Sequence, residues 1–348
     1  MDIKYKFRLS SIEFLRGLAS SAVVLYHVAK HIEKSYIGRG NLEIFQFFHA
    51  GVDLFFVISG FIIMYVHYGD IGIRSQIWRY FSRRVCRVIP MYWIATALTI
   101  MTFVFSNRPM LPWIQVIVSS TLMPSFVDPV LGVAWTLQFE AVFYVMFATL
   151  ILSKRLGILT FSAWAIVLTY SMLRGATWDF PSSLFGSYAI EFYFGMSTAL
   201  SIIHFPRSGR SWMISASVFL IIVFGIMENT GSLDGYSISA RFAYGIPSAL
   251  LIYSLASVEI QGRLRIPVWL VRFGGASYST YLFQFLFIGI LWQLWTALGL
   301  DRYFEIWVCF CLLAMGALIG GFLVGRLVEA PIARFLGGRN RSPRPLTV

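Results

Sequence analysis

Arg16 and His27 stand eleven residues apart in the apolar stretch IEFLRGLASSAVVLYHVAKH. Ionisable side chains inside a membrane span are costly, and where they persist they mark functional sites. Eleven residues of helix rise roughly 16 Å, about half the hydrocarbon thickness. With Arg16 at one interface, His27 lies near or beyond the midplane. A neutral imidazole held there is a base able to take a proton from a hydroxyl, so the pair points to chemistry inside the bilayer. His31, one turn further on, sits nearer the outer end of the same helical face.

Four more segments carry polar residues in apolar surroundings. GVDLFFVISGFIIMYV (51–66) opens with Asp53. A carboxylate at a helix start is favoured by the helix dipole alone. The functional reading is that Asp53 orients or charges a neighbour, with His27 and His49 as candidates. Gly51 and Gly60 in this segment permit close helix approach. YFSRRVCRVIPMYW (80–93) clusters Arg83, Arg84 and Arg87 ahead of Pro90, which is placed to open a helix. These arginines serve either as an anchor on the inner face or as a clamp for phosphates. AWTLQFEAVFYVMF (134–147) sets Glu140 about two turns into a span, among Trp135, Phe143 and Tyr144. A carboxylate there needs a partner. ASYSTYLFQFLF (276–287) adds Ser277, Tyr278, Ser279, Tyr281 and Gln284, which can line a site or join helices by hydrogen bonds. Glu191, in YAIEFYFG, is similarly embedded, with nothing beside it to indicate a role.

The elements that must position these residues are membrane helices. Of 348 residues, 58% are hydrophobic and 13% charged, and the mean hydropathy is +0.72. That leaves too little charge to cover a soluble protein of this size. Apolar blocks of membrane-spanning length predict an all-α, polytopic membrane protein of about ten transmembrane helices. They fall near 11–31, 48–68, 88–106, 133–153, 157–173, 184–203, 211–228, 240–258, 274–298 and 304–328. The first is read as a retained helix, because no small-residue cleavage site follows it. LPWIQVIVSSTLMPSF (111–126) is short and bounded by prolines, so it reads as a re-entrant or interfacial segment.

The net charge of +12 lies in short connectors between apolar blocks, which argues against nucleic acid. Under a ten-span alternation, 21 of the 28 Lys and Arg fall on the side of the N-terminus and seven on the other. That bias predicts cytoplasmic termini. The transmembrane domain is expected over 1–336, followed by a disordered basic tail over 337–348. Cys86, Cys309 and Cys311 form no disulfide framework, and no metal site is expected. No internal repeat is visible, which weighs against an inverted-repeat transporter.

Six motifs, FLRGLASSAVVLYH, GVDLFFVISGF, RRVCRVIPMYW, WTLQFEAVFY, SYSTYLFQ and VEAPI, run in order over about residues 11–335. In this the chain resembles the acyltransferase 3 family of bacterial inner-membrane acyltransferases, closest to its ExoZ-type branch that modifies exopolysaccharide. The resemblance implies ten transmembrane helices and acyl transfer, most simply of acetyl, from cytoplasmic acyl-CoA to a carbohydrate hydroxyl. By the same resemblance His27 is the catalytic histidine, and Asp53 and Glu140 occupy motif positions; either Glu140 or Asp53 is expected to fix the tautomer of His27. Arg16, Arg83, Arg84 and Arg87 take the donor. Trp135, Tyr144, Tyr278, Ser279, Tyr281 and Gln284 contact substrate. Many members carry histidine where this chain has Gln284, and glutamine cannot carry a proton. Two alternatives stay open: a transporter or flippase of a polysaccharide intermediate, whose path the same polar residues would line, and an acyltransferase acting on a lipid acceptor.

Overall fold

The structure is a computed structural model that describes residues 9–35, 42–105, 111–174 and 182–336. The expected tail over 337–348 lies outside the described residues. Within them every regular element is helical. The helices are α1 (Ser10–Ser35), α2 (Gly51–His67), α3 (Ile77–Phe105), α4 (Trp113–Thr121), α5 (Trp135–Leu152), α6 (Lys154–Arg174) and α7 (Ser182–Phe185). There follow α8 (Ala189–His204), α9 (Ser211–Asn229), α10 (Ile238–Ile260), α11 (Val268–Gly275), α12 (Ser277–Ala297), α13 (Ile306–Val324) and α14 (Ala330–Leu336).

Among the described residues nine helices are long and apolar enough to cross a membrane, and the chain is a multi-pass membrane protein. The exception among the expected spans is α8, at 16 residues. Its length of about 24 Å falls short of the hydrocarbon thickness. Even so, α8 keeps pace with α2 from end to end. Asp53 and Glu191 flank Arg241 at one end, Gly195 rests on Val57 and Phe61 further along, and Tyr68 meets His204 at the other. α2 and α8 are therefore parallel and traverse the same depth. With α8 beside the nine, the described residues hold ten helices where the ten apolar blocks were expected. As expected, the proline-bounded segment forms only the nine-residue α4.

The packing follows from small residues. A Cβ on Gly60 would collide with the Phe192 backbone, and one on Gly195 with the backbone of Val57 and Phe61. The two helices approach at the distance only glycine permits. Gly51 sits in the same way on the Ala19 carbonyl of α1. α1 is the central helix, and its open N–H groups are met from another element. Ser10 N and Ser11 N donate to the two carboxylate oxygens of Glu259, at 2.7 and 2.9 Å. A carboxylate at this position also complements the helix dipole. At the periphery, α9 turns Phe219, Ile222 and Ile226 outward. Such a belt is stable only against lipid.

α3 departs from expectation. It starts at Ile77, so Pro90 lies inside it rather than at its start, and the arginines occupy its first turns rather than a connector. Proline removes one N–H from the ladder. Near that break the Tyr278 hydroxyl donates to the Val88 carbonyl at 2.8 Å, tying α12 to α3 where the helix is weakest. Cys309 is buried and Cys311 exposed on α13, on the different faces their spacing requires.

Candidate active site

α1, α2, α3, α5 and α12 enclose a cavity of about 790 Å³ of non-atom space, counting its open mouth. Its walls are largely apolar, from Val52, Phe55 and Ile62 of α2 among others. Its polar surface has two parts. Arg16, Arg84 and Arg87 gather at the inner end, and Glu140, Tyr144, Tyr278 and Tyr281 stand along the side.

The three arginines differ in how they are held. Arg16 is buried and ion-paired with Glu13 at 3.2 Å, three residues back on α1. Arg84 lies between the rings of Tyr80 and Tyr144, 5.9 and 5.6 Å from their centroids. Among the described residues its buried Nε has no partner and no carboxylate meets its fork. Arg87 lines the cavity with an exposed side chain and has no hydrogen bond or ion pair among the described residues. Tyr80, Arg84, Arg87 and Val88 follow helical spacing, so they share one face of α3. Arg83 falls on another face and is not part of the cavity wall.

Glu140 sits opposite. One of its oxygens accepts from Ser59 at 2.8 Å and from the Tyr144 hydroxyl. Two hydroxyl donors satisfy a carboxylate that apolar surroundings would otherwise penalise. Glu13, Glu140 and Glu329 all lie within electrostatic reach of Arg16 and Arg87. Thr136 and Tyr281 are hydrogen-bonded to each other at 2.9 Å and close its outer end with Val52.

His27 does not line this cavity. Its ring packs on Phe285 at 4.6 Å and on Tyr26 at 5.0 Å. Phe285 is one turn beyond Tyr281 on α12, so this ring links the cavity's outer end to the histidine. Among the described residues no carboxylate holds His27 in the way the sequence led one to expect. Asp53 accepts instead from Arg241, both side chains fully buried, with Glu191 3.9 Å from the same guanidinium. Glu140 is engaged by Ser59 and Tyr144. The reason is that each carboxylate is already taken: Asp53 by Arg241 of α10, Glu140 by Ser59 of α2 and Tyr144 of α5.

The expected pairing of His49 with Asp53 is also replaced. His49 meets Glu228 at 2.9 Å, and Tyr244 donates to the other Glu228 oxygen at 2.6 Å. Tyr236 stacks on the His49 ring at 4.8 Å and shares a 2.7 Å hydroxyl contact with Tyr26. Sequence reasoning misses both Arg241 and Glu228. Glu228 does leave a signal, since it lies in the last turn of α9, where the dipole disfavours a carboxylate.

The remaining expected contacts separate. Tyr144, Tyr278 and Tyr281 face the cavity. Trp135 packs instead among Phe56, Phe139 and Tyr188. Ser279 donates to Glu329 at 2.6 Å, joining α12 to the turn after α13. Gln284 is fully buried and donates to the Tyr281 carbonyl at 2.9 Å, so its role in the structure is that of a helix-internal bond.

Comparison with known proteins places the chain in a family. The acyltransferase domain family matches residues 9–326, nearly the whole chain. The protein belongs to the acyltransferase 3 family. Among curated relatives it is similar to the exopolysaccharide production protein ExoZ of Rhizobium meliloti, 27% identical over 82% of this chain and 89% of that one. It is also similar to the acyltransferase MdmB of Streptomyces mycarofaciens, 26% identical over 98% and 96% of the two chains. No solved structure matches. As a member of this family the chain is a membrane-embedded O-acyltransferase, and its cavity is the natural place to look for the acyl donor.

Proposed function

We propose that the protein moves an acyl group, most simply acetyl, from cytoplasmic acyl-CoA to a sugar hydroxyl of a cell-surface or exopolysaccharide acceptor. The observation that carries this reading is a pair of guanidiniums, Arg84 and Arg87, that no carboxylate among the described residues meets at ion-pair distance, in a largely apolar cavity inside the membrane domain. Guanidinium forks that no carboxylate engages directly suit an anionic ligand with matching oxygens. A phosphate-bearing carrier with a long, weakly polar arm matches both parts of the cavity. Arg16, Arg84 and Arg87 would hold the phosphates, and Arg83 would add charge at the entrance. The apolar wall would take the arm.

Transfer then requires the thioester to approach His27, roughly 16 Å of helix rise from Arg16. A ring nitrogen of His27 takes the proton of the acceptor hydroxyl, and the oxygen attacks the thioester carbonyl. The C–S bond breaks, and the departing thiolate receives the proton from imidazolium, giving the ester and the free thiol. The cavity's outer end and His27 meet through Phe285, so this ring has to move or pass the acyl group beside it. Glu140 would act at the cavity wall by holding Tyr144, and Asp53 by holding Arg241, rather than by touching the base.

The charge distribution supports cytoplasmic termini, because Arg74, Arg79, Arg155, Arg207, Arg263 and Arg334 share the face of Arg84 and Arg87. The bacterial relatives support placement in the inner membrane, and the printed name of ExoZ supports a polysaccharide acceptor. Membranes containing the protein should transfer label from radiolabelled acetyl-CoA to glycan. Label appearing only in lipid would redirect the acceptor, and no transfer with intact transport of a glycan intermediate would make the protein a transporter.

A further inference from the structure

Asp70, His67 and Arg84 form a continuous hydrogen-bonded chain that ends in the cavity. Asp70 Oδ2 lies 2.7 Å from His67 Nδ1, and His67 Nε2 lies 3.1 Å from an Arg84 terminal nitrogen. A guanidinium only donates, so Nε2 must be the acceptor. Nδ1 then carries the ring hydrogen and donates to Asp70. The chain therefore fixes one neutral tautomer of His67. The ring is 1% exposed and is held edge-on by Tyr80 at 5.0 Å, with Phe147 beyond. A buried imidazole clamped from two sides is a rigid acceptor. It anchors one arm of a guanidinium whose Nε is unpartnered.

We infer that His67, oriented by Asp70, is a positioning residue for the donor site: it aims the Arg84 fork so that its free donors meet a phosphate group of the acyl donor. This rests on the reading of Arg84 given above. The chemistry explains why a histidine suits this place. A carboxylate on Arg84 would neutralise the charge that the donor needs, whereas a neutral nitrogen acceptor fixes the arginine and leaves its charge uncompensated. The aromatic rings of Tyr80 and Tyr144 hold it in the same way, by contacts that leave its charge in place. Asp70 is set two bonds away, at the edge of the protein, where its charge locks the tautomer without facing the cavity.

The test is coenzyme A binding to the purified full-length protein in nanodiscs, together with donor KM and kcat for acetyl transfer. His67→Leu removes the acceptor and should weaken coenzyme A binding roughly tenfold, the loss of one hydrogen bond to a charged group. Donor KM should rise in step while kcat holds. His67→Gln, which restores an acceptor, should recover a large part of the loss, and this a merely structural role would not do. If a folded His67→Leu protein binds coenzyme A like wild type while Arg84→Ala does not, the inference fails and the donor site stands. If Arg84→Ala also binds like wild type, the donor-site reading itself fails. Should His67→Leu not fold, Asp70→Ala at the partly exposed end of the chain decides, and unchanged affinity there overturns the inference.

Discussion

Arg241 donates to Asp53 with neither side chain exposed, and a second arm of the same guanidinium donates to the Gly235 carbonyl. The Arg241 guanidinium also lies 4.0 Å from the centroid of the Tyr188 ring. Asp53 occupies the motif position where a catalytic carboxylate was expected, yet its partner is a buried structural cation. Removing one member of a buried pair strands the other, at a cost of about 3–5 kcal/mol. Asp53→Asn and Arg241→Leu should therefore both lower the thermal midpoint of the detergent-solubilised protein and reduce the amount inserted. Tryptophan fluorescence melting checks this. An Asp53→Asn protein that melts like wild type but has no activity would return Asp53 to the chemistry.

His27 lies outside the cavity that holds the arginines, so binding of donor and transfer of its acyl group should separate on mutation. His27→Ala is expected to abolish acyl transfer while leaving coenzyme A affinity within about twofold of wild type, because no donor contact is removed. Paired measurements of binding and transfer on the same preparation decide. Loss of both together would mean that His27 belongs to the donor site after all, and persistent transfer would remove it from the mechanism.

The helices were legible in the sequence because membrane spans need only length and apolarity, and the bilayer supplies both constraints. The one span that falls short, α8, shows the limit of that rule. Its place is set by Gly60 and Gly195, whose contacts no hydropathy pattern contains. Much of the candidate site was legible too, since Arg16, Arg84, Arg87, Glu140, Tyr144, Tyr278 and Tyr281 were singled out and share one cavity. What sequence could not supply was pairing. Asp53 finds Arg241 across 188 positions, and His49 finds Glu228 across 179. Such partners are fixed by which helices neighbour one another, and the connectors between spans carry no record of that. His67 escaped notice for a related reason: at the end of a span it reads as an interfacial residue until Arg84 is seen beside it.

The parallel course of α2, α8 and α10 fixes a topology that labelling can read. Asp234, between α9 and α10, lies at the Asp53 level, and Arg263, after α10, lies at the opposite end. In a protein without its native cysteines, a cysteine at position 234 should react with an impermeant maleimide from outside intact cells. One at position 263 should react only after the membrane is opened. The reverse pattern would invert the orientation inferred from the positive residues, and labelling of both positions from one side would contradict ten crossings.

Arg84 and Arg87 should respond differently to lysine, because they are held differently. On the proposed donor reading Arg84 uses its planar fork twice, once on His67 and once on a ligand, whereas Arg87 makes no hydrogen bond or ion pair among the described residues. Lysine offers a point charge without the fork. Arg87→Lys should keep most of the donor affinity, and Arg84→Lys should lose roughly tenfold or more, close to Arg84→Ala. Donor KM for the alanine and lysine variants at both positions measures the contrast. Equal losses at the two positions would show that charge alone, rather than a fixed fork at Arg84, draws the donor into the cavity.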